Sequence, residues 1–292
     1  MPTGAYAHFG LALFSLIVIY IFFRAIFRRK FIALPPRRKV ALSLWDSANE
    51  AYIHTSLEMD VHKALPWLKE RSKERSLMLS LTHLVGAAVG KAISDVPEFN
   101  RTLVWDGFIQ HSKVDVSFLV ALDDGEDTDW VKVEEAEKKS VGDIAVELTE
   151  AAKALRAKVK GKRGGGLVDY CPVWFLRPMM KVTGFLASGL GFDLSAIGID
   201  PYSFGRAVVV NSASFGAEEA FVTRTAFSYV GMNLIICRLT DRVVVREGKQ
   251  VIRPCFNLCV NADHRYVDGS HLSRTLKAIR RYIENPELLE KS

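Results

Sequence analysis

No charged residue precedes Arg24, and no acid stands between Arg24 and Lys39. The first absence leaves Leu11 to Phe23 uncharged and almost wholly apolar, within an apolar stretch from Ala5 to Phe27 that only Arg24 interrupts. A membrane-spanning helix needs about 20 apolar residues. A cleaved signal peptide puts its basic residues before a shorter apolar run, whereas here the basic cluster follows. Residues 1–30 therefore read as an uncleaved single-pass anchor with a basic flank. The positive-inside rule places the N-terminus outside and the chain from Arg28 onward in the cytoplasm.

The second absence locates the excess positive charge. The chain carries a formal +6, and seven Lys and Arg fall between Arg24 and Lys39, which leaves −1 for everything else. So local an excess excludes a nucleic-acid-binding face, and nucleic acid is not expected as a partner. A second basic run, Lys153 to Arg163, follows the acids of Glu126 to Glu150 and reads as a solvated helix end.

Cysteine is scarce and has no C-x-x-C spacing. Cys255 and Cys259 lie in a strand-like run, two pleats apart on one face, which is poor zinc geometry. With Cys171 and Cys237 they read as buried free thiols, and no metal site is expected. Gly164-Gly165-Gly166 has no Lys-Ser or Lys-Thr after it, so it is not a phosphate loop.

What remains is a chain of 292 residues, 49% of them hydrophobic, enough for a large core. Leu34-Pro35-Pro36 closes a short stiff linker, residues 31–36. Apolar spacing predicts a helix over Asp143 to Val159, with Ile144, Leu148, Ala151 and Leu155 on one stripe. Val173 to Leu190 is apolar and aromatic, with only Arg177 and Lys181 charged. Pro178 and two glycines argue against a spanning helix, leaving a packed helical insertion or a segment lying in the headgroup layer.

Near the C-terminus, Val251 to Val260 reads as a strand and Ser270 to Ile283 as a helix with Leu272, Leu276, Ile279 and Ile283 on one face. Between them stand Asp263-His264-Arg265 and Asp268-Gly269. One turn holds a His and an Asp four residues apart, a candidate base with a group that fixes its surroundings. With Asn285-Pro286-Glu287-Leu288-Leu289 after the helix, this stretch resembles the catalytic domain of 2-oxoacid dehydrogenase acyltransferase components, relatives of chloramphenicol acetyltransferase. The likeness extends from Arg37 to Leu289. Arg37 to Ser47 is similar to the family's opening helix, Leu57 to Val61 to its first substantial strand, and Leu81 to Ile93 with Pro97-Glu98-Phe99-Asn100 to its long apolar helix and following turn. Trp105-Asp106-Gly107 reads as a hairpin turn and Val114 to Ala121 as a strand.

The resemblance implies an α/β fold, a two-layer sandwich of mixed β-sheet and helices over residues 37–292, preceded by the transmembrane helix and carrying an apolar insertion at about 167–200. It implies acyl transfer between coenzyme A and a thiol or hydroxyl acceptor, with His264 as general base. Asp268 would order the turn through Arg37 or Arg38. It implies a homotrimer whose active sites lie between subunits, the His from one chain and a hydroxyl from its neighbour.

The family's hydroxyl lies in a segment similar to Val208-Val209-Val210-Asn211-Ser212-Ala213-Ser214-Phe215-Gly216. Aligned without gaps on Asn211 and Gly216, its Ser falls on Val210. A slip of one or two residues brings Asn211 or Ser212 there instead. Lipoyl and partner-binding domains do not fit between Phe27 and Arg37, so no covalent lipoyl group is expected on this chain, and an acyl group would arrive on another, lipoyl- or acyl-carrying chain. A non-catalytic trimeric scaffold retaining the fold is the alternative, and a membrane-surface binding protein using Val173 to Leu190 is a third reading.

Overall fold

The computed structural model describes residues 10, 13–15, 17–19, 21–22, 31–33, 51–105, 107–122, 127–161, 173–222 and 226–290. In chain order the elements are β1 (Phe31–Ala33), β2 (Tyr52–Asp60), α1 (Ala64–Glu74), α2 (Leu81–Asp95), β3 (Arg101–Val104), β4 (Gly107–Gln110), β5 (Val116–Leu122) and β6 (Asp127–Val133). Then follow α3 (Val141–Gly161), α4 (Val173–Gly184), β7 (Ala207–Asn211), β8 (Met232–Ile236), β9 (Thr240–Arg246), β10 (Lys249–Asp263) and α5 (Gly269–Glu284).

The main sheet runs β2-β10-β8-β7-β5-β6, with β9 paired to the first half of β10. Its pairs are antiparallel except β7, which lies parallel to both β5 and β8. The sheet is therefore mixed, and the expected two layers are present. Strand alternation divides its two faces. Phe118, Val209, Leu234, Ile236, Leu258 and Val260 point into the main core beneath α2, α3 and α5. Val208, Val210, Ile235, Cys237 and Cys259 form a smaller cluster on the opposite face. Cys237, Cys255 and Cys259 are buried free thiols; Cys171 lies outside the described residues.

Small residues set the position of α2. An added Cβ at Gly86 would lie 2.3 Å from Phe118 Cζ, and one at Gly90 would lie 2.8 Å from the backbone carbon of Ala136. The helix is thus pressed onto the strands at glycine positions. The start of α3 is fixed by a reciprocal cap: Ser140 N–H donates to Asp143 Oδ2 and Asp143 N–H donates to Ser140 Oγ. In α5, Leu272, Thr275, Leu276, Ile279, Tyr282 and Ile283 are buried, a three–four spacing that gives the helix one apolar face. The Tyr282 hydroxyl donates to Asp95 Oδ2 at 2.6 Å and ties α5 to α2; burial and that carboxylate push the phenol up to about 12.

Three regions bear on the sequence reading. Residues 31–33, expected in a linker, form β1 and pair with β4, giving a second sheet of order β1-β4-β3. The segment Val173 to Leu190 is a helical insertion: α4 continues into a π-helical turn, Phe185–Gly189. It packs on the domain through Gly184 against Phe227, Gly189 against the Tyr229 ring, and Phe185 against Trp105. Met179, Met180 and Val182 remain exposed. At the N-terminus, described residues between 10 and 22 are helical, and among the described residues no helix is long and apolar enough to cross a membrane. The rest of the expected anchor, its basic flank, Pro35-Pro36, the expected opening helix and Gly164 to Gly166 lie outside the described residues.

Gly90→Ala tests the close approach of α2. Alanine gains about 1 kcal/mol in helix propensity, but the methyl meets the backbone of Ala136, and overpacking of this kind costs roughly 1–3 kcal/mol. We expect a net loss of up to ~2 kcal/mol in chemical denaturation; a gain in stability would contradict the packing.

Candidate active site

The turn that follows β10 is held at four points. Asp263 is buried, and its backbone N–H donates to the carbonyl of Gly231. Its carboxylate receives the guanidinium of Arg265, with Nη2 to Oδ2 at 2.8 Å and Nε to Oδ1 at 3.1 Å. Burial works against the charge on Arg265, yet the Asp263 carboxylate outweighs it and the guanidinium pKa is raised. The His264 backbone N–H donates to Ala51 at 2.7 Å, and the Tyr266 hydroxyl donates to the carbonyl of Tyr229 at 3.2 Å. His264 therefore sits on a turn whose flanking residues are fixed, with its own side chain partly exposed.

Asp268 closes the turn as the N-cap of α5. Its Oδ1 accepts from the backbone N–H groups of Ser270 and His271 and from the Ser270 hydroxyl. His271 Nδ1 lies 2.7 Å from the same oxygen. Burial is the largest single influence and raises the Asp268 pKa, but the Ser270 and His271 hydrogen bonds and the nearby imidazole together prevail and hold it at about 2. The expected ordering of the turn by Asp268 thus takes the form of helix capping. Arg37 and Arg38, its expected partners, lie outside the described residues.

The second pair of expected site residues ends β7. Asn211 is exposed, its Nδ2 donates to Thr82 Oγ1 at 2.9 Å, and its Oδ1 accepts from Ala213 N–H. Ser212 is buried, and its hydroxyl donates to the carbonyl of Ile236 at 3.1 Å with Cys237 Sγ at 3.9 Å. Val210 faces the smaller apolar cluster on the open face of the sheet.

These two halves do not meet within one chain. Ser212 is bonded at the level of Ile236, which pairs with Leu258 on β10. His264 lies six residues further along β10 and its turn, and at about 3.3 Å per strand residue that separates them by about 20 Å. Neither the Asp263–Arg265 pair nor the next residue was given a role from sequence. Arg206 is 3% exposed at the start of β7, donates to Thr102 Oγ1, and lies over the Tyr202 ring at 5.3 Å. No carboxylate forms an ion pair with it among the described residues, and burial lowers its pKa. Only the D-H-R string marked the first of these in the sequence; a lone Arg before an apolar strand marks nothing.

Removing the cap separates its charge from its geometry. A carboxyl whose folded pKa is depressed contributes stability above its unfolded value, here near 3.8, and loses it as pH falls through the folded value of about 2. We expect Asp268→Ala to cost about 1 kcal/mol at pH 7, as N-cap removals do. The difference from wild type should shrink between pH 4 and pH 2. A pH-independent difference in urea unfolding would contradict the assignment.

Comparison with known proteins follows the same outline. The model of the family described as 2-oxoacid dehydrogenases acyltransferase (catalytic domain) matches residues 31–162 and 231–290. The dihydrolipoyllysine-residue acetyltransferase component of the pyruvate dehydrogenase complex of Rickettsia prowazekii is 26% identical over 258 residues, covering 87% of this chain and 53% of that protein. The corresponding component of Rhizobium meliloti is 27% identical over 241 residues, 80% of this chain and 44% of its own length. The chain thus spans about half the length of these relatives. Among solved structures, a probable dihydrolipoamide acetyltransferase from Listeria monocytogenes superposes with a TM-score of 0.60 at 19% identity, over 87% of this chain and 93% of that one. A chloramphenicol acetyltransferase superposes at 0.53 with 12% identity, over 87% and 99%. These likenesses show the fold. With two-thirds of its residues matched by the family model, the chain belongs to the 2-oxoacid dehydrogenase acyltransferase family through its catalytic domain.

Proposed function

We propose that this chain is a membrane-anchored acyltransferase that moves an acyl group between coenzyme A and a thiol or hydroxyl acceptor, with His264 as the base. The observation that carries the reading is the turn after β10, where His264 is partly exposed while the residues on either side of it are pinned. A thiol of pKa about 8.5 is mostly protonated at neutral pH. A neutral imidazole takes that proton as the sulfur attacks the thioester carbonyl, and returns it to the departing thiol when the tetrahedral intermediate collapses. The intermediate's oxyanion needs a hydrogen-bond donor.

Ser212 is the donor favoured here. In the dihydrolipoamide acetyltransferase of Azotobacter vinelandii, the serine, histidine and asparagine whose roles in the mechanism were investigated are spaced 52 and four residues apart. In this chain Ser212 stands 52 residues before His264, and Asp268 four after it. Ser212 also lies two residues beyond Val210, an offset that keeps the strand face. Its hydroxyl must leave the Ile236 carbonyl to serve. Asn211, whose amide carries a second N–H besides the one given to Thr82, is the other candidate.

The separation of about 20 Å along the sheet supports a site completed by a second copy, and hence a homotrimer. Coenzyme A is read as a substrate. The apolar run before Arg24 and the basic cluster after it support a single-pass anchor with the catalytic domain in the cytoplasm.

His264→Ala should lower acyl transfer by ~10²–10⁴-fold with the fold intact. Ser212→Ala should lower turnover by ~10²-fold or more with little change in coenzyme A affinity. If Ser212→Ala is silent while Asn211→Ala is not, the donor is Asn211. A wild type that binds acyl-coenzyme A and never transfers the acyl group, with carrier chains supplied, replaces the enzyme with a scaffold.

Assembly and topology are tested together. The detergent-solubilised chain should scatter light as a trimer, and the membrane-bound chain should resist a salt wash. A monodisperse monomer removes the interfacial site, and release by salt removes the anchor.

A further inference from the structure

The open face of the sheet carries a cavity of about 250 Å³ lined by Leu119, Trp130, Phe204, Val208, Val210 and Asn233, among others. A second cavity, about 500 Å³, shares Trp130 and Phe204 with the first and continues under the insertion, where Met179, Met180 and Phe227 contribute to its walls. The second falls in the size range of small-molecule sites and the first just below it; apolar surface predominates in both, although Asp129, Lys132 and Asp200 also line the second. Phe204, Val208 and Val210 lie between the two segments that the family model matches, so part of this wall is built by residues outside that match.

Two polar side chains on this face have no hydrogen bond among the described residues. Asn233 is 8% exposed, and among the described residues nothing bonds its side-chain amide. Its neighbour in register on β10, Asn261, is satisfied, by the carbonyl of Val222 and by His54. On the other side, Val208 is in register with both Asn233 and Ser117, and Ser117 Oγ is buried without a partner. An unpaired buried amide is destabilising, and one lining an apolar cavity is placed to bond a ligand that carries one oxygen on an aliphatic body.

We propose that this cavity binds the aliphatic chain of a medium-length acyl group, with the Asn233 amide donating to an oxygen of that ligand. The proposal rests on the acyltransferase reading and names its substrate class. Val210, two residues before Ser212, forms part of the cavity wall, so the chain would lie beside the proposed oxyanion donor. An acetyl group would leave most of this volume unfilled. Each buried methylene is worth roughly fourfold in affinity, and octanoyl has six more than acetyl.

The test is calorimetric binding of octanoyl-coenzyme A and acetyl-coenzyme A to the purified full chain, with transfer rates measured for both. Two variants accompany it: Val208→Trp, which fills the cavity, and Asn233→Leu, which removes the amide. Octanoyl-coenzyme A should bind ~10-fold tighter or more. Val208→Trp should bring the two ligands within about threefold of each other, whereas Asn233→Leu should weaken both by a similar factor, ~5-fold or more, and melt no lower than wild type, because it removes an unpaired group. Octanoyl preference without transfer of either group supports the cavity and removes the acyltransferase reading. Equal affinities in the wild type, a preference that survives in folded Val208→Trp, or wild-type affinities in Asn233→Leu overturn the cavity even if acetyl is transferred.

Discussion

Pairing along β10 is the constraint on which the rest depends. This strand is fifteen residues long, and it bonds β9 with its first half, β2 along most of its length and β8 near its end. Period-two alternation then leaves no freedom in which side chains face the helices. Phe256, Leu258, Val260 and Ala262 enter the main core; Asn257, Cys259 and Asn261 face the other way. A shift of one residue would exchange the two sets. It would put asparagines under α5 and leave the apolar residues on the open face.

That register also delivers His264. The strand ends at Asp263, whose buried carboxylate is neutralised by Arg265 two residues on, so the chain turns where its last pleat is bonded to Gly231. Asp268 then starts α5 by capping it, and the burial of Leu276, Ile279 and Ile283 draws the helix back across the sheet. The histidine is held by its neighbours on both sides, and its own ring is left partly in solvent.

The same sheet keeps Asn211 and Ser212 away from His264. The residues that follow β7 sit at the level of Ile236, and no rearrangement of loops can carry them along β10 without breaking strand pairs. A hydroxyl and an imidazole so separated are useful to each other only across a contact between chains. The open face between them is not idle. Its row of His54, Asn261, Asn233, Val208 and Ser117 crosses five strands, satisfied at one end and unsatisfied toward the other.

Much of this was legible in the sequence because it is local. The stripe of Leu272, Leu276, Ile279 and Ile283, the apolar run of β10 and the D-H-R-x-x-D-G string each depend on residues a few positions apart, and the turn they predict is present. The insertion's helix and the long α2 were legible for the same reason. What the sequence could not decide was every matter of long-range contact. Residues 31–33 form a strand because β4 offers them an edge. Asp268 acts as a cap because Ser270 and His271 turn their N–H groups toward it. The hydroxyl of Ser212 is committed to the carbonyl of Ile236, 24 residues away. The side chain of Asn233, which looks like any polar residue in a strand, lines a cavity with Leu119, Trp130, Phe204 and Val208 and has no hydrogen bond among the described residues. Periodicity tells which side of a strand a residue takes; only the packed structure tells what waits for it there.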